Sequence, residues 1–210
     1  MGLISEEDKK ELKKLLEEKM DKEVEILFFK GNTPECHFCE QIENLLEEVS
    51  SLSSKITYKT YDYQSDIAKN YEVKTAPVIL FKQKPNIRFL GIPSGHEFSA
   101  FLEDIIRISR NEVDLKLATA QKISRIKKPV HIMVFVTPTC PYCPIAVRTA
   151  HMFALINPNI RSEMIEALEY RELAEKWNVM AVPKVVINEK VEFEGAYPEE
   201  IFAEKVLEAL

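Results

Sequence analysis

The residues best suited to chemistry are four cysteines in two equal spacings, Cys36-His37-Phe38-Cys39 and Cys140-Pro141-Tyr142-Cys143. None is left over for a structural disulfide or a lone buried thiol. Two thiols three positions apart, at a turn that opens a helix, can alternate between dithiol and disulfide by thiolate attack. The second motif follows the apolar run Ile132–Val136 and precedes a helical pattern. Pro141 suits the first helical position, which places Cys140 at or next to the N-cap, facing free N–H groups and the positive end of the dipole. There a thiolate is favoured, so Cys140 is expected to have a lowered pKa and to attack, with Cys143 resolving one turn further on. The first motif follows the run Val24–Phe29 in the same way. His37, beside Cys36, would as a cation favour the thiolate and a more oxidising pair; its plainer reading is an exposed loop residue.

Other chemistries fit two C-x-x-C pairs. Together they can form one four-thiolate zinc site, or hold an iron–sulfur cluster between two chains. Each motif heads its own helix at an equivalent position, which argues against convergence on one ion.

The elements that must position these thiols alternate. A helix over residues 5–21 carries Leu12, Leu15, Leu16 and Met20 as its stripe and starts at Ser5 and Asp8. Strand 24–29, turn 31–35 and the first motif follow, then a helix with Ile42, Leu45, Leu46 and Val49 on one face. Next come strand 56–61, a short helix 66–71 capped by Ser65, and strands 78–81 and 87–90 around a turn at Gln83–Asn86. Ser94-x-x-Glu97 reads as a capping box opening a helix over Phe98, Phe101, Leu102, Ile105 and Ile106, with His96 on its surface. The order then repeats. A helix 112–127 with Val113, Leu117, Ala120 and Ile123 precedes strand 130–136, the second motif, and a helix through Val147, Met152 and Phe153. Strand 160–167, a short helix at 173–177, strands 184–187 and 191–193, and a last helix with Pro198 at its first position complete the chain. His131, His151, Tyr71 and Trp177 read as packing residues, and Lys74 and Lys184 as solvated ones. Phe38 and Tyr142 stand at matching positions, where they can meet an apolar substrate segment or cover the active helix.

The landmarks of the repeat agree. Cys36 to Cys140 is 104 residues, Pro77 to Pro183 is 106, and Gly91 to Gly195 is 104. Tyr71–Pro77 aligns with Trp177–Pro183. Two units are therefore expected, 1–110 and 111–210, and with no Gly/Ser/Pro linker between them they should pack rigidly. Length agrees, since 210 residues allow two domains of about 100.

Composition excludes several classes. A net charge of −6 with mixed signs and no basic stripe argues against nucleic acid. No apolar run reaches the ~18 residues needed to span a bilayer. The start is acidic where a signal peptide is basic and apolar, which reads as cytoplasmic. Met1-Gly2 resembles a myristoylation start, but Glu6 stands where Ser or Thr is needed. Charged residues at 30%, rich in Glu and Lys, with five glycines, suggest a thermophile's surface of interleaved ion pairs.

Strand, C-x-x-C, helix, strand, short helix, then a proline opening an antiparallel pair and a last helix resembles the thioredoxin fold. Two such units, each with its own motif, resemble the protein disulfide oxidoreductases of hyperthermophiles, also called glutaredoxin-like or protein-disulfide-isomerase-like proteins. The stretches Val134–Pro144 and Glu192–Pro198 are particularly close. The resemblance implies an α/β fold of two tandem thioredoxin-like units, each a central mixed sheet flanked by helices. It implies thiol–disulfide exchange on protein disulfides: reduction, oxidation and isomerisation. No cofactor is implied in the chain; electrons would come from an NAD(P)H-dependent thioredoxin-reductase-like flavoprotein, and the chain would act as a monomer or homodimer. Cys36 and Cys140 would attack and Cys39 and Cys143 resolve. Pro77 and Pro183 would be cis, exposing the backbone of Ala76 and Val182 to a substrate strand and keeping metal ions from the thiolates. The Pro-Tyr pair is glutaredoxin-like, a type that sits at roughly −200 to −230 mV. One departure concerns proton transfer. The buried acid of single-domain thioredoxins, six residues before the first cysteine, is Val134 in the second unit and Lys30 in the first. Asp62 and Glu166, on neighbouring strands, are the candidates to replace it. A competing reading is a binding or chaperone module with one idle redox pair.

Overall fold

Apolar and β-branched runs set eight strands, and amphipathic stripes set eight helices, in a computed structural model that describes residues 3–210. Met1 and Gly2, the myristoylation-like start, lie outside the described residues. The first unit runs α1 (Glu6–Lys19), β1 (Val24–Lys30), a 3-10 turn Cys36–Phe38, α2 (Cys39–Ser51), β2 (Ile56–Asp62), α3 (Asp66–Asn70), β3 (Val78–Phe81), β4 (Lys84–Leu90) and α4 (Glu97–Arg110). The second runs α5 (Leu117–Ser124), β5 (Val130–Val136), α6 (Cys143–Ile156), β6 (Ile160–Glu166), α7 (Arg171–Lys176), β7 (Lys184–Ile187), β8 (Val191–Glu194) and α8 (Glu199–Glu208).

All strands join one mixed sheet in the order β2-β1-β3-β4-β6-β5-β7-β8. Within each unit the second strand pairs parallel to the first, and the last two form an antiparallel pair beside it. The seam is parallel, with Ile87–Leu90 of β4 opposite Ser162–Ile165 of β6. Strand residues alternate between two cores. Ile26, Phe28, Phe81, Phe89, Ile132 and Val134 face α1, α2, α4, α5, α6 and α8, while Leu27, Phe29, Leu80, Met133 and Phe135 face α3 and α7. Continuous apolar strands are what a sheet covered on both faces requires. Phe28, Phe81, Phe89 and Phe135 are fully buried, each favouring the fold by roughly 2–3 kcal/mol. Among the described residues no helix is long and apolar enough to cross a membrane.

Several local expectations change. Leu15 of α1 is exposed, while Leu16 and Met20 are buried. β4 begins at Lys84, not Ile87, because Asn86 donates to the carbonyls of Ala154 (2.7 Å) and Ile160 (2.8 Å) and pulls the segment inward. The register shift opposite Leu80 and Phe81 accommodates Pro85. α5 is shorter than 112–127 because Glu199 of α8 takes the Lys116 N–H (2.8 Å), so residues 112–116 run as a strap, and Leu117 points out. Pro198 is the cap of α8 rather than its first residue.

Candidate active site

In the second unit, α6 begins at Cys143, with Tyr142 at the cap and Pro144 in the first turn. Cys140 therefore lies outside the helix, three residues before it, rather than at the N-cap. The expectation placed the helix start at Pro141; instead Cys140 N–H closes a turn on the carbonyl of Thr137 (3.2 Å). Cys140 is a half-buried free thiol and Cys143 a fully buried one. The Cys140 Sγ lies 3.5 Å from the carbonyl of Val182, and Val182-Pro183 is cis. Burial, then the bond with Cys140, drive the Cys143 thiol far above its ordinary range. The Glu97 carboxylate adds to that rise.

Glu97 belongs to the other unit. Its side chain is buried, and neither carboxylate oxygen finds a hydrogen-bond partner among the described residues. Burial raises its pKa to about 8, with Arg148 opposing and Asp104 reinforcing the shift. The Ser94–Glu97 capping box does not form: the Glu97 N–H binds the Ser94 carbonyl (3.2 Å), and no side chain caps α4. Gly95, at φ +58°, lets α4 dock on the loop before Cys140, where an added Cβ would stand 2.3 Å from the Pro138 carbonyl oxygen. The same carbonyl accepts from the His96 N–H (3.1 Å). Unit 1 thus brings a carboxyl to the thiols of unit 2. The sequence signal was present, because Glu97, Phe101, Asp104 and Ile108 share one helical face and two of the four are acids.

In the first unit Cys36 and Cys39 are disulfide-bonded, with Cα atoms 5.1 Å apart. Both are half-buried, His37 and Phe38 are exposed, and Ala76-Pro77 is cis. Ala76 is fully buried, and its carbonyl accepts the Thr33 hydroxyl (2.7 Å). The Pro77 carbonyl accepts a bond from the Tyr170 hydroxyl (2.8 Å), which reaches across from unit 2. Each motif therefore leans on a residue of the other unit.

The two acid candidates part company. Asp62 is exposed at the end of β2, where it accepts the Gln64 N–H (2.7 Å), but it lines a cavity with Cys36 and Cys39. Glu166 is buried and its pKa is raised by desolvation, against bonds from the N–H groups of Glu169 and Leu168. It opens on a cleft of about 850 Å3 between the units, shared with His37, Phe38 and Pro138. Lys30 is not the counterpart of Val134. Val24 to Val130 is 106 residues while Cys36 to Cys140 is 104, so the loop before Cys36 is two residues longer. Val134 matches Phe28, and both are buried and apolar. Lys184, expected in solvent, is buried instead, donating to the Trp177 carbonyl (2.6 Å) and pairing with Glu192 (2.8 Å). His151 packs at the α4–α6 contact, fully buried, but with a charged partner: its Nδ1 lies 2.5 Å from Asp104. Tyr142 is 64% and Phe38 44% exposed, so neither side chain closes over its helix.

A family model described as a thioredoxin domain matches residues 130–208. A protein disulfide oxidoreductase from Aeropyrum pernix K1 is 35% identical, with a TM-score of 0.88, over 96% of this chain and 91% of that one. A structure of the alkylhydroperoxide reductase AhpF from Enterococcus faecalis is 26% identical, with a TM-score of 0.87, over 97% and 99% of the two chains. The F component of the alkyl hydroperoxide reductase of Staphylococcus epidermidis is 29% identical over 186 residues, 89% of this chain and 34% of that protein. The chain spans about a third of the length of the curated relatives it matches.

Proposed function

Because the chain belongs to the family of protein disulfide oxidoreductases, we propose that it performs its thiol–disulfide exchange on protein substrates through both cysteine pairs. The observation that carries the reading is the half-buried Cys140 thiol set against the Val182 carbonyl, with Cys143 buried behind it. The half-buried Cys140 thiol, the outer of the two, supports the role of attacking sulfur for it and of resolving sulfur for Cys143. The Cys140 thiolate attacks a substrate disulfide, forming a mixed disulfide and expelling one substrate thiolate. Cys143 then gives up its proton, for which Glu97 is the acceptor, and attacks the Cys140 sulfur, releasing the second substrate thiol. Run backwards, the same steps oxidise a dithiol, and alternating directions isomerise. Cys36 and Cys39 play the same parts in the first unit, with His37 beside the attacking sulfur and Asp62 the acid at its cavity.

The prolines Pro77 and Pro183, with Ala76 and Val182 before them, form the floor of each substrate groove. Phe38 and Tyr142 offer exposed rings beside the sulfurs. The units are 1–110 and 111–210, and the reductant is an NAD(P)H-dependent flavoprotein of the thioredoxin-reductase type. The first experiment traps the intermediate. Cys143→Ser in a Cys36→Ser/Cys39→Ser background should accumulate a mixed disulfide with a disulfide-bonded protein at Cys140, seen by mass spectrometry. If the adduct formed equally with Cys140→Ser in place of Cys143→Ser, the assigned roles would be reversed or void.

A further inference from the structure

We propose that Lys30 and Glu43 are positioning residues that set the redox equilibrium of the first cysteine pair through opposed charges, a device absent from the second site. The inference rests on the reading of Cys36–Cys39 as a redox pair.

The internal repeat supplies the contrast. At the strand spacing Lys30 corresponds to Val136, and at the cysteine spacing Glu43 and Thr60 correspond to Val147 and Met164. All three counterparts in unit 2 are buried and apolar. In unit 1 the three are half-buried and bonded: Lys30 Nζ lies 2.6 Å from Glu43 Oε2, and the Thr60 hydroxyl donates to Glu43 Oε1 (3.0 Å). Glu43 stands four residues beyond Cys39 in α2, the spacing of direct neighbours on one helix face. Lys30 and Thr60 line a cavity of about 530 Å3 whose wall includes Cys36 and Cys39. The other ionisable groups there are Tyr61 and Asp62, with Tyr58 and Glu47 adjoining the pair along β2 and α2.

The charges act on the dithiol state, which alone carries a thiolate. Lys30 favours that thiolate; Glu43 opposes it, both directly and by holding Lys30. The Lys30 and Glu43 side chains are 43% and 33% exposed, so solvent screens the effect and a change of about two- to fivefold in equilibrium constant is expected. In the second site no paired charge stands at these positions.

The test uses the full chain carrying Cys140→Ser/Cys143→Ser, equilibrated with glutathione. In that exchange the two protein thiols become a disulfide as one glutathione disulfide is cleaved to two glutathione thiols. Lys30→Met should move the equilibrium towards the protein disulfide, Glu43→Gln towards the dithiol, and Lys30→Arg should keep it near the parent. Both shifts should shrink at acid pH, where no thiolate forms. A purely structural pair would give shifts of the same sign, or none; either result overturns the inference. A parent whose first pair failed to cycle at all would sink the functional reading itself, and this inference with it.

Discussion

At the scale of single residues, the chemistry of the second site turns on protons rather than on sulfur alone. Cys143 is buried and its thiol resists ionisation, so the resolving step needs a nearby acceptor, and Glu97 is the carboxyl whose charge reaches it. A group with a pKa of about 8 is protonated at neutral pH and becomes a base as pH rises through that value. Release of the mixed disulfide at the second site should therefore quicken with pH through about 8. Glu97→Gln should remove that rise and slow release about a hundredfold, the usual scale for a lost general base. Stopped-flow release of a glutathionylated Cys140, followed from pH 6 to 9 in Cys36→Ser/Cys39→Ser protein, checks this. An unchanged profile would strip Glu97 of its role. The cysteines and prolines were legible from spacing because few arrangements place two thiols and a distant proline at fixed separations. Glu97 was harder to read: it shares a helical face with Phe101, Asp104 and Ile108, but an acid two residues after Gly95 also looks like a helix start, and packing against α6 decides between the two.

At the scale of elements, the contact between α4 and the loop before Cys140 delivers that carboxyl. Gly95 makes the approach possible: its φ is +58° and an added Cβ would collide with the Pro138 backbone. Gly195 also has positive φ, +93°, but nothing lies within 4 Å of its position. Both substitutions to alanine carry the backbone penalty of roughly 1–2 kcal/mol, but Gly95→Ala adds a clash with backbone. Gly95→Ala should thus lower stability by about 1–2 kcal/mol more than Gly195→Ala, and should slow the second site while sparing the first. Equal losses in urea unfolding would show that the close approach does not matter. The order of strands and helices was readable from apolar periodicity, whereas their limits failed where a partner from elsewhere intervened. Asn86 is drawn into β4 by carbonyls of Ala154 and Ile160, and α5 is shortened by Glu199. Such long-range partners leave no periodic trace.

At the scale of the whole molecule, the two units share one sheet and both of its cores, and they are joined along β4 and β6. Buried acids gather near that join. The Glu169 carboxylate accepts the Ile92 N–H (2.7 Å), yet burial raises its pKa to about 7, and Glu97 stands at about 8. For a carboxyl raised above its unfolded value, the stability tied to the protonated form is complete below about 4.5 and is lost as pH rises through the folded pKa. The lowered carboxylates, Glu25, Glu43 and Glu163, act with the opposite sign and below that window. Stability should fall between pH 5 and pH 9 by up to about 7 kcal/mol, and Glu97→Gln/Glu169→Gln should flatten the fall. Urea midpoints that rise over this range would contradict it. The central claim, that both motifs are working redox pairs held in one frame, is tested most directly by counting thiols. Cys36→Ser/Cys39→Ser and Cys140→Ser/Cys143→Ser proteins would each be titrated with glutathione and the free thiols measured at every ratio. Each remaining pair should lose two thiols together, with separate midpoints because only the first site carries the Lys30–Glu43 charges. A remaining pair, in either protein, that failed to cycle between dithiol and disulfide would contradict it.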